Sequence, residues 1–413
     1  MNEILKVIKG TKDILPQDVH MWHFVEKTAE EVFSRYGFEE IRTPIIEMTE
    51  LFSRGVGDTT DIVNKEMYTF EKNKRSITLR PENTAGVVRS FIENGMYRQS
   101  MPVKLWYKGP MFRYERPQAG RQRQFHQVGV EVFGVSQPTV DAEVILVAIN
   151  FLKSLGLTDL EVELNSLGCP KCRENFKNEL KKVIQPYLNE LCEDCNTRFE
   201  KNPLRLLDCK VEDCKKIYQK KEIQKVITSD FLCDDCKNHY EELKMYLDKM
   251  NVKYAENKLL VRGLDYYNRT VFEIKSKDLG SQNAVCGGGR YDNLVEQLGG
   301  SPTPAIGFAM GMERLISLLE ERQPNLLDAY IVSKFKTDAF ILAEELRGEG
   351  LSVDFEMGDR KFVKQLEKAS KIAKYALILG EDEMAKNQIS IKNLETGKQV
   401  TVNRADCVKM LEL

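Results

Sequence analysis

The sequence has no run of about 18 consecutive apolar residues, the shortest stretch that indicates a membrane-spanning helix. Its first residues, MNEILKVIKG, lack the apolar core of roughly 7–15 residues that secretory signals carry. Internal repeats and low-complexity tracts are absent as well. These absences predict a globular protein that works in the cytoplasm.

Net charge is almost absent too, because 61 Lys and Arg residues face 63 Asp and Glu residues, a formal charge of −2. Overall charge therefore offers no nucleic-acid footprint, and such a partner would have to be held by local basic patches. With 42% apolar and 30% charged residues, the composition is that of a globular protein. A length of 413 residues predicts two or three domains.

Changes of pattern along the chain predict where these domains lie. Strand and glycine-rich segments dominate residues 1–325, after a predicted helix at about 18–36. The segment FEEIRTPIIE is predicted as a strand, which Pro44 confines to an edge or bend of a sheet. Between Cys169 and Asn251 the composition turns to Lys, Glu and Cys with helical spacing, which predicts an inserted helical, Cys-rich domain at 169–251. Residues 326–413 alternate strand and helix patterns, including the hairpin QISIKNLETGKQVTV, and predict a separate α/β module.

One predicted strand, residues 125–134, has a polar face. Two-residue periodicity puts its valines on one face and Gln127, Gly129 and Glu131 on the other. Two interpretations remain open: a half-buried strand whose polar face meets water, or the floor of a pocket. In the second case Gly129 leaves room between the two polar side chains.

A predicted helix in RPENTAGVVRSFIENG starts beside an acid. Asn83 or Thr84 is the expected cap and Gly95 the expected end. The carboxylate of Glu82, just ahead of the helix, is suited either to interact with the helix dipole or to bind an ammonium group.

Three arginines stand next to glycines or strand ends. Arg113 ends a strand, Arg262 precedes a glycine, and Arg314 lies in the first turn of a helix after GFAMG. Guanidinium groups bind phosphate in a planar, bidentate way, and a cation at a helix N-terminus favours an anion. A basic loop in solvent, a surface hairpin and core packing are the competing interpretations.

Two common site types do not fit the sequence. CGGGRYD lacks the Gly-Lys-Ser/Thr ending of a Walker A loop, and we find no Ser-His-Asp or paired-carboxylate hydrolase arrangement. Arginines together with nearby carboxylates and tyrosines suit a nucleoside triphosphate and an amino acid bound on one open sheet.

Four segments follow one another along the chain: YGFEEIRTPIIEMTELF, MFRYERPQAGRQRQFHQVGVEVFG, LVRGLDYYNRTVFE and AIGFAMGMERL. They resemble the motifs of the histidyl-tRNA synthetases, a family of class II aminoacyl-tRNA synthetases. The first is similar to motif 1, the second to motif 2, the third to the signature of the histidine enzymes, and the fourth to motif 3. The resemblance covers essentially the whole chain. It implies an α+β fold: an antiparallel-sheet catalytic domain with a helical insertion, a C-terminal α/β anticodon-binding domain, and a homodimer formed through motif 1.

The resemblance also implies the reaction. Histidine and ATP, the latter with Mg²⁺, would give histidyl-adenylate and pyrophosphate, and the histidyl group would pass to the terminal adenosine of tRNA(His). Arg113 would bind the α-phosphate and Arg314 the γ-phosphate end. Arg262 would take the place of a catalytic metal contact used elsewhere in the class.

Recognition of the amino acid and of the tRNA is implied in the same way. The α-ammonium group of histidine is expected to contact Glu82, Thr84 and Gln127. The imidazole is expected to contact Glu131 and Tyr267, with Tyr266 beside them. The tRNA acceptor end is expected near Arg116, Gln118 and Arg121. A site that pairs both ring nitrogens rejects other amino acids by about 10⁴–10⁵, so no editing domain is expected. Asn83 departs from the glycine expected at that point, which puts the backbone of this loop in question.

Eight of the ten cysteines lie in the predicted insertion as four pairs: Cys169/Cys172, Cys192/Cys195, Cys209/Cys214 and Cys233/Cys236. Three pairs have the C-x₂-C spacing that lets two thiolates meet one tetrahedral ion, and four pairs suffice for two four-sulfur sites. Structural zinc and reduced thiols packed in a core both remain open. Disulfides are disfavoured in a reducing cytosol.

The main alternative function is a non-catalytic relative, the synthetase-like regulatory subunit of ATP phosphoribosyltransferase. Such proteins share the catalytic fold but lack the C-terminal tRNA domain and lose the arginine motifs. This chain keeps both, which favours the enzyme. An RNA-binding scaffold would not need the tyrosine–glutamate pocket.

Overall fold

The computed structural model describes residues 4–57, 60–117, 121–276, 284–324 and 326–411. The chain divides into two compact units, Met1–Glu321 and Arg322–Leu413. Among the helices of the described residues, none combines the length and the apolar character needed to cross a membrane.

The first unit is built on a large sheet, a small sheet and helices on both. Its strands are β1 (Glu39–Glu40), β2 (Ile46–Met48), β3 (Tyr68–Lys72), β4 (Arg75–Leu79), β5 (Val103–Phe112), β6 (Gln124–Phe133), β7 (Leu160–Ser166), β8 (Tyr254–Glu256), β9 (Asn268–Ser276), β10 (Ala284–Arg290) and β11 (Ala305–Gly311). Its helices are α1 (Val19–Arg35), α2 (Thr49–Phe52), α3 (Thr84–Glu93), α4 (Pro138–Ser154), α5 (Pro170–Ile184), α6 (Glu193–Lys201), α7 (Glu212–Tyr218), α8 (Lys221–Ile227), α9 (Asp234–Lys249), α10 (Leu294–Gln297) and α11 (Met312–Ile316).

The large sheet has the strand order β1-β5-β6-β11-β10-β9-β7-β8. Its six central strands pair in antiparallel fashion, while β1 and β8 join the two edges in parallel. The antiparallel sheet expected from the sequence is therefore confirmed.

One face of this sheet is covered by α1 and α4. The valines of β6 and the apolar residues of its neighbours pack there with both helices in one buried core. Phe33 of α1 lies at the centre, with ring centroids 5.7 Å from Trp106, 5.1 Å from Phe151 and 6.1 Å from Phe308. The helix predicted at 18–36 is confirmed as α1, and its apolar spacing serves this core.

The segment FEEIRTPIIE, predicted as a strand, is divided in two. Glu39 and Glu40 pair in parallel with β5, whereas Ile46–Met48 pairs with β4 in a separate sheet of order β2-β4-β3. Pro44 lies between the two pieces. Because proline has no N–H to donate, a continuous ladder is interrupted there.

The insertion lies between β7 and β8 and consists of α5 to α9. It has its own apolar core, in which Phe176, Leu206 and Ile217 are buried. Helix α9 is also tied to helix α4, because His239 Nε2 lies 2.8 Å from Asp141 Oδ2. Arg290 and Asp141 are both fully buried and form an ion pair of 2.6 Å, so the guanidinium neutralises the charge of the Asp141 carboxylate within the core.

The second unit consists of β12 (Leu327–Ser333), α12 (Lys336–Gly348), β13 (Val353–Phe355), α13 (Phe362–Ile372), β14 (Ala373–Leu379), α14 (Glu381–Lys386), β15 (Gln388–Asn393), β16 (Gln399–Asn403) and α15 (Cys407–Leu411). Its strands form a five-stranded mixed sheet with the order β13-β12-β14-β15-β16. Strand β12 pairs in parallel with β13 and β14, and β15 pairs in antiparallel fashion with β14 and β16. The alternation of strand and helix predicted here, with its terminal hairpin, is confirmed.

Candidate active site

The face of the large sheet that points away from α1 and α4 is lined by small residues at its centre. The register of the strands puts side by side Gln127, Gly129 and Glu131 of β6; Gly307, Ala309 and Gly311 of β11; Gly287 and Gly289 of β10; and Glu273 of β9. Polar side chains therefore stand at the ends of a floor of glycine and alanine. Such a floor leaves space above the sheet for a ligand.

A cleft of about 330 Å³ occupies this space, and most residues predicted from the sequence line it. These are Glu82, Thr84, Arg113, Arg121, Gln127, Arg262, Tyr266, Tyr267 and Arg314. Glu131 is buried behind the lining, and Arg116 is exposed and does not line the cleft. Gln118 lies outside the described residues.

Arg113 is oriented by three groups at the end of β5. Its Nε donates to the carbonyl of Pro81 at 2.8 Å, and its guanidinium lies 5.2 Å from the ring centroid of Phe125. Glu115 is 3.7 Å away and also pairs with Arg121 at 3.1 Å. The guanidinium thus reaches the cleft in a defined direction before any ligand binds.

Arg262 pairs with Glu273, which sequence reasoning missed. Burial opposes its charge, but Glu273 and the neighbouring tyrosines outweigh that effect and raise the pKa of Arg262. Its Nε is buried and has no hydrogen-bond partner among the described residues. A side chain at Gly287 would overlap the Arg262 guanidinium, which is the flexible end of that side chain, so a substitution there would displace the guanidinium.

Arg314 approaches the cleft from α11. Its Nη1 donates to the carbonyl of Ala284 at 2.6 Å. Burial and the nearby Arg121 lower the pKa of Arg314 from its usual value. Two arginines that repel each other across a cleft form an arrangement that an anion would stabilise.

Glu82 provides the cap of α3. Its carboxylate accepts from the backbone N–H groups of Thr84 and Ala85 at 2.8 and 3.0 Å. The side chains of Asn83 and Thr84, the caps expected from the sequence, make no capping bond. Burial raises the pKa of Glu82, although these N–H groups and Arg113 oppose the shift.

Asn83 adopts an ordinary backbone conformation with φ of −115°, so this position does not require glycine. Its Oδ1 accepts from Thr43 Oγ1 at 2.6 Å and from Arg80 at 3.2 Å. The departure from the expected motif therefore leaves the loop undistorted and adds a side-chain tie to the segment before β2.

Glu131 is the centre of a buried hydroxyl cluster over Gly307, at one end of the floor. Its carboxylate accepts from Thr84 Oγ1 at 2.7 Å and from the hydroxyl of Tyr291. Burial raises the pKa of Glu131 to about 8, against the effect of these two donors. Tyr291, in the segment CGGGRYD, was missed because nothing in its local pattern links it to a strand 160 positions earlier.

Tyr266 and Tyr267 form an aromatic wall of the cleft. Their ring centroids are 4.6 Å apart, and Tyr266 meets Tyr291 edge-on at 5.6 Å. Burial raises the pKa of Tyr267 to about 12, so its hydroxyl stays protonated at neutral pH and is able to donate. Opposite them, Gln127 Oε1 is buried and has no hydrogen-bond partner in the described part of the chain.

Glu313 is a further residue that sequence reasoning missed. It lines the cleft beside Arg314, and its carboxylate accepts from the backbone N–H of His126 at 2.9 and 3.0 Å. This contact joins α11 to the start of β6. In the sequence, the position of Glu313 directly before Arg314 was the signal that could have identified it as a cleft residue.

The chain resembles known proteins along nearly its whole length. The family model described as histidyl-tRNA synthetase matches residues 10–315, and one described as anticodon binding domain matches residues 327–412.

Individual relatives agree with these family matches. A histidine–tRNA ligase of Caldanaerobacter subterraneus subsp. tengcongensis is 48% identical over 409 residues, which is 97% of each chain. One of Thermosipho melanesiensis is 50% identical over 409 residues, covering 97% of this chain and 96% of its own. The crystal structure of apo S. aureus histidyl-tRNA synthetase has a TM-score of 0.82 at 37% identity and covers 99% of this chain and 100% of its own.

Proposed function

This chain belongs to the histidyl-tRNA synthetase family, and we propose on that premise that its cleft performs both steps of histidine attachment to tRNA. It is an ATP-dependent ligase. In the first step a histidine carboxylate oxygen attacks the α-phosphorus of ATP, and the bond to pyrophosphate breaks. In the second, a hydroxyl of the terminal adenosine of tRNA(His) attacks the carbonyl carbon and AMP leaves.

The observation that carries the proposal is the meeting of three arginines with an amino-acid pocket in one cleft. Arg113 binds the α-phosphate, Arg314 the γ-phosphate end, and Arg262 the α-phosphate as it is attacked. Negative charge builds on the phosphorus oxygens in the transition state, and fixed cations stabilise it without reorganising. The unpartnered Nε of Arg262 and the ties of Arg113 and Arg314 to carbonyl groups support these roles.

The α-ammonium group of histidine is bound by Glu82, Thr84 and Gln127. The free Oε1 of Gln127 supports this assignment, because a buried acceptor without a donor favours a ligand that brings one. Glu82 adds a carboxylate close to the cleft wall.

The imidazole is bound by Glu131 and Tyr267, with Tyr266 beside it. A carboxyl with a pKa of about 8 exists in both protonation states near neutral pH, so it is able to accept from or donate to a ring nitrogen. The protonated hydroxyl of Tyr267 supplies the second partner. A site that pairs both nitrogens rejects amino acids without them.

The remaining parts of the proposal concern tRNA and assembly. Residues 1–325 form the catalytic domain, with the insertion at 169–251, and residues 326–413 form the anticodon-binding domain. Arg116 and Arg121, with Gln118, contact the acceptor end of tRNA. The Mg²⁺ ion enters with ATP as part of the substrate. The protein acts in the cytoplasm, where tRNA is charged.

We propose a homodimer formed through the motif 1 segment. Apolar side chains are exposed on the small sheet and next to it: 41% for Ile45, 55% for Ile46, 47% for Met48 and 47% for Phe70. An apolar group of this kind at a sheet edge favours association with a matching surface.

The regulatory-subunit alternative is less supported. The two relatives named above, at 48% and 50% identity over nearly the full length, carry the name histidine–tRNA ligase. The C-terminal segment matches an anticodon-binding domain. All three cleft arginines are present as well.

The deciding experiment is amino-acid-dependent exchange of labelled pyrophosphate into ATP, run with each of the twenty amino acids in turn and without tRNA. Exchange with histidine alone is expected. Exchange with a different amino acid would overturn the pocket assignment. Histidine binding without any exchange would overturn the enzyme and favour the regulatory relative.

A further inference from the structure

The eight cysteines of the insertion gather into two separate groups of four, and we propose that each group binds one structural zinc ion. The root cluster consists of Cys169, Cys172, Cys233 and Cys236, and the inner cluster consists of Cys192, Cys195, Cys209 and Cys214. The sequence left open both the metal and the pairing. In the structure, the first cysteine pair along the chain joins the last pair in the root cluster. The two pairs that lie between them in the sequence join each other in the inner cluster.

Sulfur positions in both clusters match a tetrahedral tetrathiolate site. Within each cluster the four Sγ atoms lie within 4.8 Å of one another. Cys169 Sγ is 3.6 Å from Cys172 Sγ and 4.0 Å from Cys233 Sγ, and Cys192 Sγ is 3.9 Å from Cys209 Sγ. Four sulfurs at about 2.3 Å from a central zinc would stand about 3.8 Å apart. Disulfide sulfurs would be at about 2.05 Å, and a disulfide joins only two of the four.

Backbone N–H groups in the root cluster point at the sulfurs. Cys169 N donates to Cys236 Sγ at 3.2 Å, and Cys233 N donates to Cys172 Sγ at 3.1 Å. The two bonds are reciprocal, since each cysteine pair of the cluster donates one backbone N–H to a sulfur of the other pair. Donors of this kind stabilise thiolate charge around a metal, whereas neutral packing thiols have little need of them.

The inner cluster has the same kind of support. Cys192 N donates to Cys214 Sγ at 3.3 Å, and the hydroxyl of Tyr218 donates to Cys195 Sγ at 3.2 Å. Binding of Zn²⁺ would displace the four thiol protons of each cluster and leave a site of net charge −2.

The two clusters would stabilise different parts of the insertion. The root cluster joins the residues that begin α5 to those that begin α9, so it closes the insertion at its base. Gly168 lies directly before it with φ of +70°, and a side chain there would overlap Cys172. The inner cluster joins the start of α6 to the start of α7 and so folds the far part of the insertion.

The insertion held in this way reaches the active-site loop that carries Arg262 and Tyr267. Arg173, in the first turn of α5, donates to the carbonyl of Tyr267 at 2.8 Å. Arg205 donates to the carbonyl of Arg262 at 3.2 Å. Because Arg173 follows Cys172 and Arg205 lies between the inner cysteines, we expect zinc at both sites to keep this loop in place. This consequence for catalysis rests on the proposed function; metal binding itself does not.

Metal content of the full chain tests the proposal directly. The protein is expressed with added zinc, purified with reductant and without chelator, and analysed by inductively coupled plasma mass spectrometry. Two zinc ions per chain are expected. The double variants Cys169→Ser/Cys172→Ser and Cys192→Ser/Cys195→Ser should each keep one, and Cys407→Ser, whose cysteine lies in the second unit, should keep two.

Several results would overturn the inference. A content of less than half a zinc ion per wild-type chain would overturn it. This holds both for reduced and for oxidised cysteines, which thiol titration in denaturant distinguishes. Iron, with or without sulfide, in place of zinc would overturn it as well. These readings come from the wild-type protein, so they hold even if a double variant fails to fold.

Removal of zinc tests the connection to the active site. Dialysis against a chelator under reducing conditions should lower histidine-dependent pyrophosphate exchange at least tenfold, and Zn²⁺ should restore it where Mg²⁺ alone does not. Full exchange in a zinc-free protein would contradict this connection. Zinc without any exchange in the untreated protein would instead overturn the proposed function and leave the metal sites standing.

Discussion

At the scale of single residues, the cleft arginines are held in place by neighbouring groups of the protein. Arg113 donates to Pro81, Arg314 donates to Ala284, and Arg262 pairs with Glu273. Fixed groups of this kind need no reorganisation during the reaction, which is the main source of electrostatic catalysis. The sequence identified the arginines but not the groups that hold them.

Arg262→Gln should lower the rate of histidine-dependent pyrophosphate exchange by about 10²–10³, the usual effect of removing one preorganised donor. The loss should appear mainly in kcat, because Arg262 acts on charge that develops in the transition state. Steady-state exchange kinetics, with a thermal melt to check folding, measure it. Arg98→Gln, at an exposed arginine, is the matched control. A fall of less than tenfold in a folded variant would contradict the role.

Glu131→Gln should change how stability depends on pH. The pKa of Glu131 is 4.5 in its ordinary state and about 8 in the folded protein, so folding takes up a proton between these values. Rising pH therefore weakens the folded wild type in this window, by at most about 1.4 kcal/mol per pH unit.

Urea unfolding of wild type and variant at pH 5, 6, 7 and 8 measures this difference. The variant has no proton to lose at position 131, so its midpoint should fall less steeply between pH 5 and 8. Parallel profiles for the two proteins would show that Glu131 does not carry the proton.

At the scale of strands, glycines on neighbouring positions of β10 have different tasks. Gly287 faces the cleft, where a side chain would overlap the mobile end of Arg262. Gly288 faces the core, where a Cβ would come within 2.5 Å of the backbone oxygen of Gly307 and 2.6 Å of the Phe272 ring. Alternation along a strand thus separates a functional constraint from a packing constraint.

Gly287→Ala and Gly288→Ala form a matched pair for this reason. Gly287→Ala should displace the flexible guanidinium and lower exchange at least tenfold, with little change in melting temperature. Gly288→Ala should destabilise by about 1–3 kcal/mol, because the backbone of β11 must move. Urea unfolding and exchange rates measure both. The opposite pattern, with Gly287→Ala the less stable of the two, would contradict this assignment of the two faces.

At the scale of the whole molecule, the chain combines two units with separate cores, and the first contains an insertion with a core of its own. The proposed dimer adds a further level. Its surface includes the exposed apolar side chains around β2, which the isolated chain leaves in contact with water.

Ile46→Asp should convert the dimer to a monomer, because a carboxylate in an apolar interface is costly to desolvate. Size-exclusion chromatography with light scattering should show a drop from twice the chain mass to one. Val363→Asp, at a residue 65% exposed in the second unit, is the control and should stay dimeric. A monomeric wild type, or a dimeric Ile46→Asp protein, would refute the proposed interface.

Local periodicity was enough to predict much of this protein. It identified α1, the alternation of the second unit, and the strand face shared by Gln127 and Glu131, because the direction of a side chain follows from its place in a helix or strand. Neighbouring glycines and strand ends singled out the three cleft arginines, and motif resemblance added the family and the roles expected of them.

Contacts between distant parts of the chain were decided only by the tertiary structure. Glu131 meets Tyr291 through the register of strands 160 positions apart, and Glu273 meets Arg262 through a loop that folds back on β9. The sorting of eight cysteines into a root and an inner cluster depends likewise on how five helices pack. Local patterns report the face on which a residue stands, whereas its partners depend on strand register and chain closure, which only the complete fold determines.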